Sequence, residues 1–134
     1  MLRRPERVEI VRSGDADALM KGNLHTDELL AQVIKEETGI RTSRRISHVF
    51  ITDVPSYPKP LFITDAAANI FPTLEDKVDI VQNAIEVAQA LRIDRPKVAI
   101  LSAVETITSK IPSTIDAAAA HRESACVRAD SLIL

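Results

Sequence analysis

Apolar residues recur at helical spacing in two stretches of the chain and run together, strand-like, in four others. Leu29, Leu30, Val33 and Ile34 form one stripe, with Asp27 and Glu28 ahead of it in a first turn. This spacing predicts a helix with Thr26 as N-cap and Gly39 at the C′ position. Leu74, Val78, Val81, Ile85, Ala88 and Leu91 form a longer stripe, and Glu75, Asp79, Glu86 and Arg92 lie off it. Here Thr73 is the expected N-cap, Asp76 stands at the capping-box position, and Asp94-Arg-Pro96 ends the helix. Residues 17–20, 46–53, 61–64 and 97–102 read as strands, the first brief and buried, the last apolar enough to be buried on both faces of a sheet. Between the second and third lies Val54-Pro-Ser-Tyr-Pro-Lys-Pro60, whose prolines exclude a tight two-residue turn and predict a longer hairpin or a projecting loop. Residues 7–12 suit the last turn of a helix with Gly14 as C′, or a short strand. Ser113 or Thr114 opens a final alanine-rich helix.

Strands alternating with helices imply an α/β fold, and such sheets bind ligands where strands deliver the chain into helix N-termini. Three strand ends share that polar character: Lys21-Gly22, Thr64-Asp65 and Ser102. The first is followed by His25 and Thr26 at an expected helix start, where exposed N–H groups suit phosphate and Gly22 lets a ligand approach the backbone. Asp65 and Asn69 are candidates to orient groups in a cleft, against a plainer reading as turn residues bonded to their own backbone. Ser102 and Ser113 are candidate hydroxyl donors, although an N-cap role would also account for Ser113.

Composition narrows the class of protein. A chain of 134 residues predicts one compact domain, and 46% apolar residues with few aromatics and no Trp predict an aliphatic core. The net charge of −2, with both signs interleaved, argues against nucleic acid as a partner. Arg41, Arg44 and Arg45 read as a solvated cluster and His48 as a hydrogen-bonded structural histidine. A single cysteine, Cys126, excludes an intrachain disulfide and fits a reducing compartment. The start of the sequence lacks the apolar region of a secretory signal, and no run has membrane-spanning length, so a cytoplasmic protein with no membrane partner is expected. His25, His48 and His121 are too scattered to suggest a metal site.

The chain resembles the phosphate acetyltransferase and phosphate butyryltransferase family. The resemblance rests on Ala16-Asp-Ala-Leu-Met-Lys-Gly, Gly39-Ile-Arg-Thr, Ile46-Ser-His-Val-Phe, Ile63-Thr-Asp-Ala-Ala-Ala-Asn and Asp79-Ile-Val-Gln-Asn-Ala. It continues through Pro96-Lys-Val-Ala-Ile-Leu-Ser-Ala-Val-Glu and Ile111-Pro-Ser-Thr-Ile-Asp-Ala-Ala, in family order over residues 14–118. It is closest to the butyryl-type branch and to the acyltransferase half of hydratase–acyltransferase fusions. The resemblance implies reversible transfer of an acetyl or butyryl group between coenzyme A and inorganic phosphate. Coenzyme A is then a substrate, and neither a cofactor nor a metal is implied. The implied fold is a two-lobed, three-layer α/β/α architecture like that of isocitrate dehydrogenase, with a mixed sheet and flanking helices. On that plan residues 1–45 belong to the first lobe, 46–118 to the second, and 119–134 form a divergent tail. Lys21, Gly22, His25, Thr26, Asp65, Asn69, Ser102 and Ser113 become the candidate substrate-binding residues, with acyl-CoA and phosphate as partners.

Family members are more than twice this long. Their principal catalytic serine, arginine and aspartate lie near the C-terminus and have no secure counterpart here. Arg128-Ala-Asp130-Ser131 resembles that C-terminal region, with Val127 in place of its first serine, through either chance or an internal deletion. The expectation is a truncated acyltransferase that is weak or inactive, catalytic residues unknown. The alternatives are a non-catalytic CoA- or phosphate-binding remnant and a dimerisation module. Losing half of a two-lobed fold should leave apolar surface uncovered, so a homo-oligomer or an aggregation-prone chain is expected.

Overall fold

The computed structural model describes the backbone of residues 4–104, 106–124 and 130–133, and the side chains of 7–104 and 106–120. The chain divides into two compact units, Met1–Arg44 and Arg45–Leu134.

The first unit holds helices α1 (Arg4–Arg12) and α2 (Thr26–Val33), which pack on each other. Of the two readings left open for residues 7–12, the helix is the one adopted. It ends in a Schellman motif, with Asp15 N–H donating to Ile10 O at 3.0 Å and Gly14 N–H to Val11 O at 3.1 Å. Gly14 takes the positive φ of 85° that this cap requires. Residues 17–20 are not a strand. A strand needs a ladder partner, and the described strands all lie in the second unit, which leaves Met20 90% exposed. Helix α2 starts one residue earlier than expected: His25 occupies the N-cap position without a side-chain cap bond, and Thr26 is the first helical residue. None of its stripe is fully buried, and the helix stops at Val33, well before Gly39. Gly39 has a different task. A Cβ there would lie 2.3 Å from Val33 O and 2.4 Å from Lys35 O, so glycine lets the following turn fold back onto the end of α2.

The second unit has a mixed α/β composition. Strands β1 (Phe50–Thr52) and β2 (Leu61–Ile63) form an antiparallel hairpin in which Phe50 faces Ile63 and Thr52 faces Leu61. The proline-bearing loop is long, as the sequence predicts. Strand β1 is shorter than residues 46–53 because side chains take the place of its ladder. Thr64 Oγ1 donates to His48 O at 2.8 Å, Asn69 Nδ2 to Ile46 O at 3.0 Å, and His48 N–H to Asp65 Oδ1 at 3.3 Å.

Helix α3 (Leu74–Ala90) begins with the expected capping box, both Thr73–Asp76 bonds being present. Its buried side chains are Ile80, Ile85 and Ala88, and the outer end of the predicted stripe, Leu91, is exposed. The helix closes in a second Schellman motif, Ile93 N–H to Ala88 O at 3.0 Å and Arg92 N–H to Gln89 O at 2.9 Å. Arg92 sits at C′ with φ 64°, where glycine is the usual residue.

Strand β3 (Lys97–Ile100) pairs in parallel with β4 (Asp130–Ile133), and helix α4 (Pro112–Ser124) makes the crossover between them. β3 is not buried on both faces: its residues alternate between exposed and half-buried. The described strands thus form two separate pairs, one antiparallel and one parallel, in place of a single mixed sheet. The core lies between α3 and α4, where Ile80, Ile85 and Ala88 are buried along with Ala117 and Ala120.

Candidate functional site

The β3–α4 connection carries the arrangement best suited to an anion. Ser102 follows the carboxyl end of β3 by two residues, and Ser113 stands in the first turn of α4 behind Pro112, a residue favoured at a helix start. Their hydroxyl oxygens lie 2.8 Å apart and share a hydrogen bond. The intervening loop is tied down by Thr114, whose side chain is buried. Its Oγ1 accepts from Thr108 N–H at 3.0 Å and stands 3.0 Å from Thr108 O and 2.8 Å from Ile111 O, to either of which it can donate. A strand end, a helix N-terminus and two adjoining hydroxyls form the geometry that open α/β folds use to hold oxyanions. One hydroxyl of the pair must donate to the other, and the second proton remains available to a ligand.

Asp65 and Asn69 belong to a different cluster in the same unit. Asp65 Oδ1 accepts from Ala68 N–H at 3.0 Å, Ala67 N–H at 3.2 Å and His48 N–H at 3.3 Å, while its other oxygen accepts from the Asn69 amide. Burial is the largest single influence on this carboxyl and pushes its pKa up. The bonds from Ala68, Asn69, Ala67 and His48 together outweigh it and hold the group below the usual aspartate range. Such a carboxylate is a turn anchor with little capacity left for a ligand. Asn69 is equally committed, donating to Ile46 O and accepting from Arg45 Nε at 2.7 Å. A cis peptide joins Thr64 to Asp65.

The remaining candidates lie in the first unit. Lys21 Nζ donates to Leu24 O at 3.1 Å, which uses one of its three protons to close its own turn. Gly22 has open space where a Cβ would stand, so nothing in the local fold demands glycine. His25 and Thr26 head α2, both exposed. The eight candidates therefore fall into three local groups: Lys21, Gly22, His25 and Thr26; Asp65 and Asn69; Ser102 and Ser113.

Two sequence readings need correction. Arg45 is not merely a solvated charge. Its Nε bonds Asn69 and lies 3.8 Å from Asp76, its N–H donates to Asp79 Oδ2 at 2.7 Å, and its carbonyl accepts from Asn83 Nδ2 at 2.9 Å. The His48 ring is not hydrogen-bonded through Nδ1, which is buried with no partner among the described residues; the ring meets Phe50 edge-on at 4.3 Å. Thr114, Lys77 and Asp116 were missed. The only sequence signal for Thr114 was its place beside Ser113 at a helix start, and a Lys–Asp pair 39 residues apart carries none. Cys126 and the 125–129 stretch lie outside the described residues, as does the side chain of His121. Among the described residues no group of three His, Cys, Asp or Glu side chains could hold a metal ion, and no helix is long and apolar enough to cross a membrane.

A helix-bearing α/β unit with its polar corner at a strand-to-helix turn is a geometry suited to small anions and defines no activity. Comparison with known proteins narrows it: the family model described as phosphate acetyl/butaryl (butyryl) transferase matches residues 7–132, and the chain belongs to that family. The match runs past Ala118, where the recognisable motifs stop, into β4. A phosphate acetyltransferase of Rhizobium meliloti is 62% identical over 112 residues, which is 84% of this chain and 35% of that protein. A phosphate butyryltransferase of Clostridium acetobutylicum is 46% identical over 111 residues, 83% of this chain and 37% of that protein. The identity is thus higher to the acetyl-type relative, against the butyryl leaning of the motifs. A crystal structure of a branched-chain phosphotransacylase from Enterococcus faecalis V583 superposes with a TM-score of 0.79 at 36% identity, covering 96% of this chain and 46% of that one. The chain spans roughly a third of the length of the curated relatives it matches.

Proposed function

We propose that this chain serves reversible acyl transfer between coenzyme A and inorganic phosphate, and that its contribution is the oxyanion corner of Ser102 and Ser113. In the forward direction a phosphate oxygen attacks the thioester carbonyl, the carbonyl oxygen gathers negative charge, and the CoA thiolate departs as the acyl phosphate forms. Hydroxyl protons aimed at that oxygen, or at the phosphate, lower the barrier by stabilising charge where it develops. The observation that carries the reading is the 2.8 Å hydroxyl pair at a strand-to-helix corner in a chain of this family. Lys21, Gly22, His25 and Thr26 are proposed as a second anion corner, for the phosphates of CoA, with the Lys21 ammonium as its charge. Asp65 and Asn69 act by holding the turn after β2 rather than by touching substrate.

The whole arrangement follows the two-lobed, three-layer plan resembling isocitrate dehydrogenase, residues 1–45 contributing to one lobe and 46–118 to the other. The setting is cytoplasmic, CoA is a substrate, and no metal or other cofactor takes part. On its own the 134-residue chain turns over weakly, since no described residue is assigned as the base that takes the CoA thiol proton in the reverse direction. A second reading, a CoA- or phosphate-binding remnant without catalysis, is favoured by the hydroxyl corner, which can hold an anion with no base beside it.

One experiment separates them. CoA release from acetyl-CoA and butyryl-CoA is followed with excess phosphate, and CoA and phosphate binding are measured by calorimetry on the same protein. Turnover lost in Ser102→Ala or Ser113→Ala supports the acyltransferase; saturable binding without turnover supports the remnant. Neither turnover nor binding overturns both.

A further inference from the structure

Helix α4 presents an unusual face to α3. Ser113, Asp116, Ala117 and Ala120 fall within one helical stripe, and the two alanines in it are buried. After Asp116, the run Ala117-Ala-Ala-Ala120 offers only methyl groups at successive positions. Methyl groups permit close approach but do not distinguish one rotation of the helix from the next, because ridges of equal height fit the facing grooves in several settings. The site nevertheless needs one setting, since Ser113 meets Ser102 only when the first turn of α4 faces the β3 end. The directional contact between the two helices is an ion pair: Lys77 Nζ, in the first turns of α3, donates to Asp116 Oδ2 at 2.5 Å, with both side chains about two-thirds withdrawn from solvent. Asp116 lies three residues beyond Ser113 on the same stripe. Ion pairs, whether exposed or withdrawn from solvent, add little net stability compared with apolar packing, and the best-attested use of those withdrawn from solvent is to fix register.

We propose that Lys77 and Asp116 are positioning residues, a rotational pin that locks α4 on α3 so that the Ser113 hydroxyl stays in bonding contact with Ser102. This inference rests on the reading of that hydroxyl pair as the oxyanion corner. Without the pin, α4 remains helical and still packs through Ala117 and Ala120, but samples more than one rotation.

The test uses the full 134-residue chain with Lys77→Met, Asp116→Asn and the charge-swapped double variant K77D/D116K, followed by NMR of Ser102 and Ser113 and by titration with inorganic phosphate. The single variants are expected to keep their helical circular dichroism while the two serines give doubled or broadened signals, which a simple loss of stability would not produce. Phosphate affinity should fall about tenfold, the scale seen when an outer partner that orients contacting groups is removed. The swap should return a single set of signals. One sharp, unmoved set of serine signals in both folded single variants overturns the pin. Where a single variant fails to fold, the swap decides: one set of signals supports the pin, and failure to fold overturns it. Doubled serine signals in a protein whose parent binds no phosphate would leave the pin standing and remove the functional reading. Unchanged signals alongside phosphate binding would do the reverse.

Discussion

Replacing Thr114 by valine should measure how much of the β3–α4 corner one buried hydroxyl holds. The side chain is 3% exposed and nearly isosteric with valine, so the change exchanges a hydroxyl for a methyl with little change of volume. Thr108 N–H loses its acceptor at 3.0 Å, and whichever of Thr108 O and Ile111 O takes the hydroxyl proton loses that donor; Ile111 O keeps the Thr114 N–H at 3.0 Å in either case. An orphaned partly buried donor costs about 1–3 kcal/mol. Burying a methyl in place of the hydroxyl returns up to about 0.8 kcal/mol. The net loss is therefore about 1.5 kcal/mol, and at the entropy of unfolding typical for this length it lowers Tm by about 5 °C. Thr114→Ser retains the hydroxyl and serves as the control, with a smaller loss from the missing methyl. Differential scanning calorimetry gives the shift, and hydrogen exchange at the Thr108 amide reports the bond directly. A valine variant melting within about 1 °C of the parent, with Thr108 still protected, would show that the loop does not depend on this hydroxyl.

Gly39→Ala forces a Cβ to within 2.3 Å of Val33 O, a backbone atom at a helix end, so the first unit should lose about 1–3 kcal/mol, read by hydrogen exchange of the α2 amides. Arg92→Gly relieves a left-handed residue in an otherwise complete Schellman motif and should gain about 0.5–1 kcal/mol in a thermal melt, since the strain removed exceeds the added freedom of the unfolded chain. The folded pKa of Asp65 lies below its unfolded value, so its stabilisation is full above the ordinary aspartate pKa and is lost as pH falls through the folded one. Melts taken from pH 5 to below pH 4 should therefore show an acid-side loss whose slope is shallower in Asp65→Asn. Ile70 and Phe71, 85% and 94% exposed side by side before α3, should drive self-association. Light scattering against concentration should show it, and Phe71→Ser should reduce it; a monodisperse parent would refute the expectation.

What the sequence made legible was what local physics decides. Thr73 and Asp76 announce the start of α3 because a capping box is satisfied within four residues, and Gly14 marks the end of α1 for the same reason. The proline-rich 54–60 linker excluded a tight turn whatever surrounded it. Long-range pairing was not legible. The stretch 17–20 is apolar enough for a strand but ladders with none of the described residues, and 97–102 reads as doubly buried although one face of β3 is open to solvent. Strand 46–53 was shortened by Thr64, Asp65 and Asn69, polar side chains that bond its backbone from 16 to 23 residues away. Asp94-Arg-Pro96 signalled the end of α3 to within a few residues, while Arg92 hid the C′ position itself, which a glycine would have marked.

The site divides along the same line. Asp65, which stands at a strand end like Ser102, and Asn69 spend their hydrogen bonds on the loop that carries them, as Asx residues in turns commonly do. Ser102 and Ser113, at a strand end and a helix start, meet through their hydroxyls and keep a proton to offer. A strand end was not guide enough by itself: a hydroxyl there keeps a donor to offer, whereas a carboxylate near backbone N–H groups is consumed by them. The same reasoning explains why Lys77 and Asp116 escaped notice: their value lies in orienting α4, and an alanine face gives no sequence sign that its rotation must be fixed from outside. An anion corner built from hydroxyls is only as good as the helix that carries them, so the residues that set the angle of α4 belong to the site as much as those at its rim.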